Sequence, residues 1–151
     1  VTEAQFLSAA EAMREKLYSF APSGPGFEGV RTFAEQTKHV ACSNFAFFNE
    51  VEHKTPPEHC EKGGPARAAT KSELIPYLRD SFDYGNKVLA AMTDTSAKEK
   101  VQGQYFGNNT SLTVAVAAVW HIADHYGPLV PYLRMNNIVP PPTEQYPLKI
   151  R

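Results

Sequence analysis

His121 and His125 stand four residues apart, so on one helix their imidazoles share a face, a turn apart. His39 is the third candidate. On a helical wheel it flanks an apolar face and shares a polar stripe with Thr32, Gln36, Ser43 and Glu50. Two facing helices therefore offer three imidazoles to one point. Three histidine nitrogens with a free fourth position make a catalytic metal site, in which a divalent cation polarises a thiol or water and lowers its pKa. Spacing alone leaves a second reading standing: His121 and His125 as packed or hydrogen-bonded helix residues. Their apolar surroundings weigh toward a shared partner, because unpaired buried imidazoles are costly.

His121-Ile-Ala-Asp-His125 also has the outline of an H-x-x-E-H peptidase motif, with Asp124 in place of Glu. Asp is a methylene shorter, and the only downstream Glu is Glu144 in a proline-rich tail, so a peptidase is disfavoured. Asp124 reads as a partner for an imidazole N–H or as a solvated carboxylate. His53 and His59 sit in a polar loop with Glu52, Glu58 and Cys60 and read as surface residues. Cys42 turns about 60° away from His39 on the wheel and is not expected as a ligand. It can pair with Cys60, or both can be free thiols. Phe47 continues the Val40 face into the core, whereas Phe45 and Phe48 point to a neighbouring helix or subunit. Tyr132 falls on the face of His121 and His125 and is a candidate to reach them with its hydroxyl. Asn108-Asn109-Thr110-Ser111 twice matches a glycosylation acceptor, but reads more simply as a helix start.

Four amphipathic stretches must position these groups. The first is expected from Thr2 to Phe20, with Phe6, Ala10, Met13, Leu17 and Phe20 at helical spacing and a Thr2–Gln5 capping box. The second opens at Thr32 with Glu35 three residues on and stops before Pro56. The third opens at Thr70 or Ser72, with a Thr70–Glu73 box, and carries Leu74, Leu78, Phe82, Leu89 and Met92. A connection from Thr93 to Asn109, with a turn of its own from Ser96, leads to the last helix, near Thr110 to Asn136. That helix is apolar nearly all round up to Trp120 and is expected to be the most buried. The fold class is all-α, a four-helix bundle at residues 1–138, with a proline-rich tail at 139–151.

Composition narrows the function. Fifteen basic against sixteen acidic residues leave a formal net charge of −1, which argues against a nucleic-acid binder. No apolar run reaches membrane-spanning length, so no membrane partner is expected. Twelve prolines are many for a helical chain, but most fall in loops and the tail. Pro128 and Pro131 do not: they remove donors to the Asp124 and Gly127 carbonyls, which predicts a kink or local widening just after His125.

Several stretches together resemble the DinB/YfiT superfamily of metal-dependent proteins. They are Val30-Arg-Thr-Phe-Ala-Glu-Gln-Thr-Lys-His39-Val-Ala, Lys71-Ser-Glu-Leu-Ile with Ser81-Phe-Asp-Tyr84, His121-Ile-Ala-Asp-His-Tyr-Gly127, and Tyr132-Leu-Arg-Met-Asn-Asn-Ile-Val-Pro140. The resemblance implies an up-down-down-up bundle with a long crossover and a divalent metal, often zinc or nickel, on His39, His121 and His125. It also implies a homodimer and a small-molecule substrate. Its relatives include thiol-dependent S-transferases and isomerases, so a transferase using a low-molecular-weight thiol is the leading expectation. A metal-dependent hydrolase, or a non-catalytic metal-binding bundle acting through a partner, is the alternative. A cytoplasmic location is the default, with export open if a signal segment preceded Val1.

Overall fold

The computed structural model describes residues 2–64 and 68–141. Four helices carry them: α1 (Thr2–Ala12), α2 (Phe33–Val51), α3 (Lys71–Ala91) and α4 (Ser111–Met135). Side-chain caps begin three of these. Thr32 accepts from the Glu35 N–H at 3.2 Å while the Glu35 carboxylate takes the Thr32 N–H at 2.7 Å. Glu73 reaches back to the N–H groups of Ala69 and Thr70, both at 3.0 Å. Thr110 accepts from the Thr113 N–H. Each pairing satisfies donors that a helix start otherwise leaves orphaned.

Contacts between helices give their directions. Asn44 donates to Ser81, and Phe48 lies against Gly85, so α2 and α3 run the same way. Gln36 meets His125 and Phe47 meets His121, so α4 runs opposite to α2. Asn86 donates to Glu3 and Phe6 packs on Phe82, so α1 opposes α3. The result is an up-down-down-up bundle. The connection between the parallel α2 and α3 must return along the bundle and is the long crossover.

One core cluster gathers Phe6, Met13, Phe33, Val40, Leu74, Leu78, Leu129 and Leu133. A second, around Phe47, Phe48, Val101 and Val114, packs beneath the α3–α4 connection. That connection holds the expected turn, a 3-10 turn at Ser96–Lys98, and two isolated antiparallel bridges, Lys100 to Thr110 and Gly103 to Gly107. Phe45 stacks between Tyr77 and Tyr84 of α3, as a neighbouring-helix contact.

Two expectations need correction. The first helix ends at Ala12 rather than Phe20, with Arg14 extended and a separate 3-10 turn at Glu15–Leu17. The break serves α2: the Tyr18 and Phe20 carbonyls accept the Ala34 and Phe33 N–H groups, each at 2.8 Å. The Tyr18 hydroxyl then donates back to the Ala10 carbonyl at 2.7 Å. Thr2 is itself a helical residue of α1, so it is not the cap of the expected Thr2–Gln5 box. The second correction concerns α4, which is not buried all round. Val114, Ala118, Ile122, Leu129 and Leu133 face the core, but Leu112, Val116, Val119 and Trp120 are exposed, Trp120 by 65%.

α4 continues through Pro128 and Pro131 to Met135 without a break. Pro76 likewise lies inside α3, in its second turn. The expected proline-rich tail falls outside the described residues from residue 142 onward, as does Pro65.

The two cysteines are joined. Cys42 on α2 and Cys60 in the crossover form a disulfide across a Cα–Cα distance of 5.3 Å, and both are buried. Gly64 makes this approach possible: at φ +75° it adopts a left-handed backbone, and a Cβ there would lie 2.2 Å from the Cys42 sulfur. A cross-link of this span stabilises by roughly 3 kcal/mol, mainly through the unfolded chain. We predict that the Cys42→Ser/Cys60→Ser double variant melts roughly 6–12 °C lower than the parent. An unchanged melting temperature by calorimetry would sink this assignment.

Candidate metal centre

His39 comes from the middle of α2, and His121 and His125 from successive turns of α4. The antiparallel crossing of these helices brings the rings together: His39 lies 5.1 Å from His121 and 4.6 Å from His125, centroid to centroid. One ring nitrogen from each lies within 4.8 Å of the others. Among the described residues no cysteine or carboxylate joins this group.

Outer hydrogen bonds orient two of the rings. His39 Nδ1 donates to the Cys60 carbonyl at 2.6 Å, and His125 Nδ1 donates to the Gln36 side-chain oxygen at 2.7 Å. A carbonyl only accepts, so both Nδ1 atoms carry the proton and both Nε2 atoms present lone pairs. His121 Nε2 stands 3.2 Å from His39 Nε2. Its own Nδ1 is buried without a protein partner among the described residues. The lone pairs of His39 and His125 thus converge with the His121 ring, whose single proton, if carried on Nε2, bridges to His39 and leaves Nδ1 unpartnered. Such a donor set fits a divalent cation, and an N–H donated to a carbonyl or amide behind the ligand is the usual support for one.

Electrostatics agree. Burial lowers the pKa of all three rings; His121 falls to about 3 and His125 to about 4, with neighbouring imidazoles and Arg31 pushing the same way. Neutral imidazole, the form that binds metal, is therefore the resting state at pH 7. The phenol of Tyr132 is raised, chiefly by burial.

Surrounding residues close the site on one side. Phe47 packs edge-on against His121 at 5.2 Å, and Phe106 and Tyr105 pack on Phe47. The backbone carrying those two aromatics is held by Glu50, whose buried carboxylate accepts the Tyr105 N–H at 2.8 Å and the Phe106 N–H at 3.2 Å. Gly103 permits the approach, since a Cβ would sit 1.9 Å from the Glu50 carboxyl carbon.

The structure brings together His39, His121 and His125 as the spacing suggested. It does not bring Tyr132 to them: that hydroxyl donates to the Arg31 carbonyl at 3.0 Å. Asp124 is exposed and makes no peptidase-like arrangement. His53 and His59 stay on the surface, His59 beside Glu61 at 3.4 Å. Cys42 is tied up in the disulfide. Gln36 and the Cys60 carbonyl, which orient two rings, were not singled out by sequence as partners. For Gln36 a signal existed, its place on the His39 stripe; for a loop carbonyl there is none.

The model of the DinB superfamily matches residues 1–129, which includes all three histidines. No curated protein matches the chain.

Depressed histidine pKa values carry a stability consequence. Unfolded, each ring titrates near 6.5; folded, it resists protonation down to about 3 or 4 at His121 and His125. The folded state then binds fewer protons across that window, so the stabilisation is complete above pH 6.5 and is lost as pH falls. For chelator-treated protein we predict an unfolding free energy, read from urea titrations, that declines from pH 6.5 toward 5 by up to about 1.4 kcal/mol per pH unit per ring. A flat profile there would contradict the buried neutral cluster, because carboxylates titrate lower.

Proposed function

The chain belongs to the DinB superfamily, and from that premise we propose that it is a metal-dependent enzyme of the thiol-transferase type acting on a small molecule. The observation that carries this is the set of three neutral imidazoles whose nitrogens converge within 4.8 Å. His39, His121 and His125 would hold the ion, three protein ligands being the number that catalytic sites use. Zinc or nickel suits an all-imidazole donor set. Bound there, the ion supplies Lewis acidity that brings the pKa of a thiol or water toward neutrality.

The chain's own residues do the rest. The Cys60 carbonyl and Gln36 hold two rings in the metal-binding tautomer. Phe47, with Tyr105 and Phe106 behind it, keeps water from the His121 side. The buried disulfide is shielded from exchange with a thiol co-substrate, since exchange needs access to sulfur. It also supports an oxidising compartment, and so the exported rather than the cytoplasmic alternative. No helix among the described residues is long and apolar enough to cross a membrane.

A homodimer is supported by the exposed apolar stripe of Leu112, Val116, Val119 and Trp120 on α4, because contiguous apolar surface of this kind marks an interaction face. Trp120→Glu is expected to convert a dimer to monomer in light scattering, with metal content unchanged. A parent chain that is monomeric at high concentration would remove this reading.

The direct test of the centre is metal analysis of protein purified without an immobilised-metal column. Near one divalent ion per chain is expected, falling below a tenth in His121→Ala; equal metal content in that variant would refute the ligand set. Turnover that requires added thiol supports a transferase. Chelator-sensitive ester or peptide hydrolysis without thiol would favour a hydrolase instead.

A further inference from the structure

Arg31 precedes α2 and is neither fully exposed nor buried. Its backbone is held to α4, where the Tyr132 hydroxyl donates to its carbonyl at 3.0 Å. Its guanidinium donates to the Glu61 carbonyl at 2.8 Å, while the preceding carbonyl, Cys60, accepts from His39 at 2.6 Å. Arg31 and His39 thus hold neighbouring carbonyls of the crossover, which places both side chains on the same short stretch of connecting chain. The remaining guanidinium donors have no protein acceptor among the described residues, and no carboxylate there lies within 4.0 Å to pair the group.

The charge around the cluster is unbalanced. Three neutral imidazoles contribute no negative charge, so a divalent ion held by them keeps both of its positive charges. Arg31 adds a third and disfavours protonation of all three rings, against which Glu61 acts on His39 and Asp124 on His125. Both of those carboxylates are exposed and screened by water. A site so built favours a ligand that brings negative charge, and a guanidinium with uncommitted donors is suited to a carboxylate by geometry as well as charge.

We propose that Arg31 is the anchor for a carboxylate on the small molecule that binds at the His39, His121 and His125 centre. The substrate class is then an anionic one, a thiol or its acceptor carrying a carboxylate a few bonds from the atom that meets the histidines. This rests on the metal-dependent reading above and deepens it. Arg31 acts in binding and selection, not in making or breaking a bond.

The test uses the metal-loaded protein, its ion content measured first, and calorimetric titration with matched probes. These are 3-mercaptopropionate against 3-mercaptopropan-1-ol, which differ only in the charged end, and 3-hydroxypropionate as the oxygen counterpart. The parent is expected to bind 3-mercaptopropionate about ten-fold more tightly than the neutral thiol, the effect of one charge-assisted contact. In Arg31→Gln the ratio falls to near one while the neutral thiol binds as before, and Arg31→Lys retains part of the preference. Absence of any carboxylate preference in the parent overturns the proposal. So does a preference that survives Arg31→Gln, since the carboxylate would then be reaching the ion itself. If Arg31→Gln loses metal or melts early, the proposal stands or falls on Arg31→Lys, in which a full ten-fold ratio or none overturns it. Failure of the thiol reading looks different: 3-hydroxypropionate would bind as well as 3-mercaptopropionate, with the Arg31 dependence intact. Failure of the metal reading shows earlier, in the ion content.

Discussion

The hydrogen bond from His39 Nδ1 to the Cys60 carbonyl, 2.6 Å long, is where helix, crossover and candidate centre meet. It fixes the tautomer of His39 and turns its Nε2 toward His121. The bond is possible because the crossover is held tightly to α2, by the Cys42–Cys60 disulfide one helical turn away and by Gly64, whose missing side chain leaves space for the sulfur. It must also withstand burial. An imidazole in this position can stay neutral and hydrogen-bonded, whereas a charged one would need a counter-ion that the described cluster lacks. Fold and chemistry therefore make the same demand on residue 39.

Much of this arrangement was legible in the amino-acid pattern. The four-residue spacing of His121 and His125 places them together on any helix, and the polar stripe of α2 selects His39 without knowledge of the partner helix. The threonine starts at Thr32, Thr70 and Thr110 are local chemistry and were readable for that reason. What could not be read is what depends on tertiary placement. The early end of α1 is one case: Met13 and Leu17 keep helical spacing, yet the chain leaves the helix because Tyr18 and Phe20 are needed to cap α2. The orienting role of Cys60 is another, since a backbone carbonyl carries no mark in sequence.

The outward face of α4 is illegible for a different reason. A helix apolar on every side satisfies two environments equally, the middle of a bundle and the seam between molecules, and periodicity cannot separate them. α4 takes one face for Val114, Ile122 and Leu133 and leaves Val116 and Trp120 outside. Trp120 is adjacent in sequence to His121, so the two faces of this helix are separated by a single residue. Whatever covers the outer face also constrains the rotation of the inner one.

Parallel α2 and α3 oblige the chain to travel back along the bundle between them, a requirement of topology and not of chemistry. The consequence is a separation of duties. The histidines are set by helix packing, which tolerates little change, while the carbonyls beside them at Cys60 and Glu61 belong to connecting chain that is pinned to α2 by the disulfide. Away from that anchor, length or composition in the crossover can vary without disturbing which helices pack together. Every such variation moves the groups that orient His39 and Arg31. The crossover is thus the part of this molecule through which the reactivity of a rigid cluster can be retuned while its scaffold stays as it is.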